Sequence, residues 1–470
     1  MQRLLAIARL TWKSAFRYRL FWVMAALLAA AVVGLPLVLK EDRIRNGVTE
    51  GGGTAEGLAQ ILLTYTLSAI TVLLGIATLW LSCGTLARDV EDCQMQLVCT
   101  KPIARWQIWL GKWLGILALN AMLLALSGAA VYMLLQWRAQ RLPAAQQAKL
   151  RSEIFVARAA AKEKPADITA RAKELAAAWR TNHPDVDLSL EDSQLLSNQL
   201  LAQARSEVEE VPYLYRKSWQ INLSSLSPRE RSQPMQLRVK FHVADLNPAA
   251  TYRIIWWIGP PGSPNPQVLD EILPPDSFQE IDVRPLLDAN GILTVVCGNY
   301  NNTSLFFPME DGFEVLYRES TFGVNFVRGL AVVLCWLALL SAVGLASASF
   351  LSFPVAAFCS LAVLLVGLSA GILSEVQEEK SIFGYSQEQP GALRKIVDEV
   401  TVPVFSAMLK VVNLVQSFSP VDDLSTGHSI TWGQLARAVG QIVLLMGGIF
   451  GLAGILLFNR RELAAVQPNS

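Results

Sequence analysis

Cysteine, histidine and net charge are all in short supply in this 470-residue sequence. Its six cysteines, Cys83, Cys93, Cys99, Cys297, Cys335 and Cys359, are scattered without a C-x-x-C. Cys297 is alone in its polar segment, so neither a disulfide framework nor a zinc site is supported. His183, His242 and His428 are far apart and lack ligand-like spacing, and each reads as a surface or structural histidine. A formal net charge of +1 makes no case for nucleic-acid binding. There is no G-x-x-x-x-G-K-[ST], so the chain has no P-loop of its own, and no H-E-x-x-H. The one G-x-S-x-G, Gly367-Leu368-Ser369-Ala370-Gly371, ends an apolar run rather than a strand, and reads as a chance cluster of small membrane-helix residues. No catalytic residue, cofactor site or metal ligand is nominated. Any work against a gradient needs energy from another polypeptide.

Apolar length is what the chain has in quantity. With 52% hydrophobic residues and a mean hydropathy of +0.35, it is too apolar for a soluble protein and too charged to lie wholly in lipid. Six runs come close to the ~20 residues that cross a bilayer. They are Phe21–Leu39, Ala59–Ser82, Leu114–Gln136, Asn325–Ala346, Phe350–Leu373 and Ala436–Phe458. The short turn at Ser347–Pro354 leaves a re-entrant hairpin as an alternative to spans four and five, although their combined length favours two crossings. Ionisable residues are nearly absent from the span interiors, with Arg328 and Arg437 near span ends, which argues against a proton pump or voltage-driven carrier. The polarity that remains is mild: Thr64, Thr66, Ser68, Thr71, Asn120 and Ser127. It suits an apolar or amphiphilic cargo, and equally a machine that transmits motion. In span six, Gly447-x-x-x-Gly451 allows close helix approach, against the equally good reading that glycine is common in membrane helices.

Two segments belong at the membrane surface. Residues 1–20 carry a basic stripe, Arg9, Lys13 and Arg17, and an apolar one, Leu5, Ala8, Trp12 and Phe16, which predicts an interfacial helix facing anionic lipid. The following apolar run is longer than a signal-peptide core and reads as an uncleaved anchor. The second segment is Gly84–Trp113. Its first half is predicted to be an amphipathic surface helix with Val90, Cys93 and Leu97 on one face and acids early in the helix. Pro102 breaks it and starts a new helix, on which Trp106, Trp109, Lys112 and Trp113 read as interface anchors. Both segments concentrate Lys and Arg, which places them in the cytosol and residues 137–323 on the far side.

The outer region changes period midway. Residues 137–211 are predicted to be helical, with a break at Asn182-His183-Pro184. Residues 212–323 alternate with period two and predict strands at Met235–Val243, Tyr252–Ile258, Gln279–Val283, Ile292–Cys297, Ser304–Phe307 and Glu314–Tyr317. That pattern suggests a β-sandwich of jelly-roll type. Of Trp256-Trp257 at most one faces outward, since adjacent strand residues point oppositely, so carbohydrate binding is a weaker reading than core packing. The Asn301 and Asn302 glycosylation patterns read as incidental. Residues 401–415, broken by Pro403 and Lys410, suit an amphipathic helix dipping into the outer leaflet.

The run CTKPIARWQIWLGK, Cys99–Lys112, resembles the signature that opens the third membrane helix of type-2 ABC transporter permeases. The N-terminal helix resembles that family's elbow helix, and residues 401–415 its outer re-entrant helices. SFSPVDDLSTGHSITWGQL, Ser417–Leu435, resembles its last outer loop, and the Arg460-Arg461-Glu462-Leu463 exit its cytosolic ending. The resemblance covers both membrane halves, 1–136 and 324–470, and not the inserted domain. It implies a mainly α membrane protein of the bacterial inner membrane, with six transmembrane helices, cytosolic termini and an extracytoplasmic insertion. It further implies a coupling helix at 84–101, a separate ABC ATPase subunit that binds the ATP, and a second permease subunit. On that analogy Arg88, Asp89, Glu91, Asp92, Lys101, Pro102 and Arg105 are candidate ATPase contacts. The rival is a non-transporting membrane receptor or scaffold whose outer β-domain binds a ligand.

Overall fold

The computed structural model describes residues 2–17, 22–34, 55–91, 103–164, 166–183, 190–244, 251–263, 265–368 and 418–461. Asp92, Lys101, Pro102, the amphipathic stretch 401–415, Ser369 of the G-x-S-x-G and the C-terminal ends of spans one and five lie outside these residues. In chain order the helices are α1 (Gln2–Arg17), α2 (Trp22–Gly34), α3 (Ala55–Glu91), α4 (Arg105–Ala139) and α5 (Ala144–Glu153). They continue with α6 (Ile168–Asn182), α7 (Leu190–Glu209), α8 (Pro228–Arg231), α9 (Phe322–Ala348), α10 (Phe353–Leu368), α11 (Pro420–Ser425) and α12 (Trp432–Arg460). The chain divides into two compact units, one of residues 1–156 with 321–470, the other of residues 157–320.

In the first unit, α3, α4, α9 and α12 are long and apolar enough to cross a membrane, while α2 and α10 are shorter apolar helices among the described residues. Spans two, three, four and six of the sequence reading coincide with the four long helices. α9 is the axis of the bundle: 72% of its most apolar window is buried inside the protein, against 22% for α12. Its closest neighbours use missing side chains. Gly344 faces Ser82 of α3, Gly128 of α4 faces Leu330, and Gly454 of α12 faces Ala346, so that a Cβ on any of them falls within 3 Å of the partner. Val439–Met446 of α12 winds as a π-helix. The small hydroxyls of the spans are spent locally, with Thr66 donating to Leu62 O, Thr78 to Leu74 O and Ser127 to Leu123 O. Each of these three donates within its own helix.

The second unit holds most of the strands: β1 (Val156–Ala161), β2 (Glu210–Val211), β3 (Arg216–Asn222), β4 (Met235–Val239), β5 (His242–Val243), β6 (Tyr252–Ile258), β7 (Gln267–Leu273), β8 (Gln279–Val283), β9 (Ile292–Asn299), β10 (Leu305–Phe306) and β11 (Phe313–Thr321). Two four-stranded sheets, ordered β1-β11-β4-β8 and β3-β9-β6-β7, and a three-stranded sheet β2-β10-β5 contribute to one core. Trp256 sits at its centre, fully buried, with Trp219, Phe307 and Phe313 around it. The alternation is as expected on β6: Trp256 points in, while Trp257 is half-buried on the other face. Strand β1 corrects the reading of 137–211 as wholly helical. Its Arg158 is 5% exposed and forks onto Glu280 of β8, a partner no local pattern announces. The α6–α7 pair is helical as predicted, tied by Arg171 to Glu207 at 2.9 Å.

Candidate functional site

Five helix ends meet where α3 stops and α4 starts, and charged side chains tie them to one another. An α-helix leaves its last carbonyls and first N–H groups unpaired, with partial negative charge at the C-terminus and positive charge at the N-terminus. Arg105, the first residue of α4, donates from Nη1 to the carbonyls of Phe458, Asn459 and Arg461 at 2.8, 2.8 and 3.0 Å, and so closes the C-terminus of α12. Arg461, just past that terminus, donates to the carbonyls of Ala348 and Ser349 at the end of α9, at 3.2 and 3.4 Å. Lys112, one turn and more into α4, donates to Thr85 O near the end of α3 at 2.7 Å and pairs with Asp89 at 2.5 Å. At the remaining end the sign reverses: Glu91 accepts the backbone N–H of Phe353, the first residue of α10, at 3.0 Å. Arg88 lies over the Phe353 ring, 4.5 Å from its centroid. In this collar two cations, Arg105 and Arg461, serve helix C-termini and one carboxylate serves an N-terminus, each with the sign the helix dipole favours, while Lys112 bridges to α3 chiefly through Asp89 of its last turn.

This placement changes the roles read from the sequence. Gly84–Glu91 is no separate surface helix; α3 runs unbroken from the span through Glu91, because Leu86 and Ala87 are fully buried against neighbouring helices and nothing in that stretch breaks a helix. Arg88, Asp89, Glu91 and Arg105 each have a partner within the bundle. Of the anchors, Trp106 is exposed, 46%. Trp109 and Lys112 are corrected: both are buried, and Trp113 donates its Nε1–H to Ala338 O of α9 at 3.0 Å. Trp109 fills the groove that Gly451 and Gly454 leave on α12, within 3.5 Å of where their Cβ atoms would stand. Of the pair Gly447 and Gly451, Gly451 packs against another helix as expected, whereas the nearest atom to a Gly447 Cβ is a carbonyl of its own helix, Ile442 O.

Two features had gone unread in the sequence. Gly111 and Gly115 on α4 admit α1 at close range, a Cβ on Gly115 falling 2.7 Å from Ala8 O and one on Gly111 2.8 Å from Ile7. The GxxxG spacing at 111–115 was the available signal, masked by the tryptophans that surround it. At the opposite end of α9, Asn325 mimics a strand: its Nδ2 donates to His428 O at 2.6 Å and its Oδ1 accepts from Ile430 N at 2.8 Å. Arg328 donates to Ile430 O at 3.0 Å beneath the Trp432 ring. These contacts fix the segment that carries Asp423, whose carboxyl is pushed up to about 6 by burial, against the lowering effect of His428. Among the described residues no group of His, Cys, Asp or Glu side chains is placed to hold a metal ion.

No curated protein and no solved structure matches the chain. Residues 5–163 match the family model described as ABC-2 family transporter protein, a range that takes in most of α1, all of α3 and α4, and the Arg88–Lys112 charges of the collar. The matched range, about a third of the chain, is similar to an ABC-2 family transporter domain, and together with the four helices long and apolar enough to cross a membrane it supports an ABC-2 type permease.

Proposed function

We propose that the chain is one of two permease subunits of an ABC exporter of the bacterial inner membrane, crossing the membrane six times with both termini in the cytosol. A separate ABC ATPase docks on the connection between α3 and α4, which contains Asp92, Lys101 and Pro102, and binds the ATP. The observation that carries this reading is the collar. A push on that connection reaches α3 through Asp89 and Lys112, α12 through Arg105, and from α12 reaches α9 through Arg461. One displacement is thereby shared among four long apolar helices, which suits moving a cargo or transmitting motion across the membrane. The concentration of Arg and Lys at this end supports a cytosolic collar. The family match favours this over the receptor reading, for which no observation speaks.

The test is co-purification of the tagged, gently solubilised chain, after cross-linking in native membranes. The expected result is a stoichiometric partner bearing a P-loop, lost on charge reversal of Asp92. Reproducible absence of such a partner overturns the proposal.

A further inference from the structure

We infer that α1 and α4 together form a binding site for one anionic phospholipid. Between them lies a cavity of about 650 Å³, bounded by Leu5, Trp12 and Phe16 of α1 and by Gly115 and Ala118 of α4, with Arg9 and Lys13 at its rim. The volume falls within the ~300–1,000 Å³ typical of small-molecule sites. The lining is apolar and aromatic, and the Trp12 and Phe16 rings stand 6.1 Å apart along it. Arg9 and Lys13 are both exposed, lie one turn apart, and neither pairs with an acidic group among the described residues. An amphiphile with an acyl chain and a negative headgroup meets both halves of this surface, the chain in the groove and the phosphate between the two cations.

The groove is built rather than incidental. α1 rests on α4 through Gly111 and Gly115, where the backbones approach too closely for a Cβ, and Thr11 and Ala15 are buried beneath it. The packed side of α1 is therefore closed, while Leu5 and Leu10 remain 64% and 66% exposed. A neutral detergent satisfies the groove and not the two cations, and a zwitterionic lipid offsets its phosphate with its own ammonium group and so satisfies them only in part. The site rests on the reading of α1 as a helix at the membrane surface, and is independent of any ATPase partner.

The experiment is native mass spectrometry of the full-length chain in mild detergent, with phosphatidylglycerol, phosphatidylcholine or inorganic phosphate added at equal concentration. Wild type is expected to retain one phosphatidylglycerol in preference to phosphatidylcholine, and to be indifferent to phosphate. Arg9→Gln and Lys13→Gln should each reduce that preference by about fivefold, from the ~1 kcal/mol that a basic residue contributes at an anionic surface. Ala118→Phe, which fills the groove, should reduce retention of both lipids. A Lys164→Gln/Lys173→Gln chain, altered in the other unit, should behave as wild type. Equal retention of the two lipids by wild type, an unchanged preference in the Arg9→Gln/Lys13→Gln chain, or displacement of the lipid by phosphate overturns the inference.

Discussion

Arg105, at the first turn of one membrane helix, holds the carbonyl of Phe458 at the last turn of another, at 2.8 Å. The two residues are 353 positions apart, and the same guanidinium nitrogen reaches two further carbonyls of that terminus. Arg105→Ala leaves these groups without their charged donor and should destabilise the solubilised protein by about 1–3 kcal/mol. Arg105→Lys keeps the charge without the planar fork and should lose a smaller part. Thermal unfolding in mild detergent checks both; an Arg105→Ala protein as stable as wild type removes the clasp from the account.

Lys112 and Asp89 form an ion pair whose lysine side chain is 9% exposed and whose aspartate is 30% exposed. Lys112→Met strands a partly buried carboxylate, and should cost about 2–3 kcal/mol, less than the ~3–5 kcal/mol of a fully buried broken pair because Asp89 keeps some water. Adding Asp89→Leu should recover most of that loss. A double-mutant cycle on thermal stability measures it, and additive losses would show that the two side chains do not act as a pair.

The glycines of α12 are predicted to divide sharply. A Cβ on Gly454 stands 2.9 Å from Ala346 Cα, which is backbone and cannot move aside, so Gly454→Ala should cost about 1–3 kcal/mol by overpacking. A Cβ on Gly448 meets nothing within 4 Å. Gly448→Ala should therefore be neutral or stabilising by up to about 1 kcal/mol. Equal effects in the same unfolding measurement would mean that α12 does not pack on α9 as described.

Asp423 sets a pH dependence. Burial raises its folded-state pKa to about 6, above the ~3.9 of an unfolded aspartate, so the folded state binds the proton more tightly. Its contribution is most favourable below about pH 4 and is lost as pH rises through about 6. Asp423→Asn should raise stability at neutral pH and flatten the slope between about pH 4 and pH 6. Unfolding midpoints of the two proteins at pH 4, 5, 6 and 7, run in parallel, carry the comparison; parallel curves would contradict it.

Much of the membrane layout was legible because apolar run length is a direct statement of what lipid requires: α3, α4, α9 and α12 fall on predicted spans. Period-two alternation located β6 and β8 to the residue and β4 within its predicted run. β1 and β7 were missed for different reasons. The sequence of β1, VARAAA, has the composition of a helix and is strand only because it adds to the edge of a sheet. β7, QVLDEIL, exposes Val268 and Ile272 and buries only Leu273 fully, so its pattern does not announce an inner face. The site residues were found by type and misread by direction. A tryptophan or lysine next to an apolar run looks the same in sequence whether it turns to the headgroups or, as Trp109 and Lys112 do, into the bundle. The partners that decide this, Phe458 for Arg105 and Ala348 for Arg461, are backbone carbonyls more than a hundred residues away and leave no trace in side-chain pattern.

The central claim is that the collar carries an ATP-driven stroke from the α3–α4 connection to α12 and α9. Once the P-loop partner has been co-purified, ATP hydrolysis by that complex, stimulated by the permease, is the measurement that tests it most directly. Arg105→Gln should leave the partner bound in normal amount while permease-stimulated hydrolysis falls toward the level of the free ATPase. Full stimulation by Arg105→Gln at unchanged binding would contradict the account.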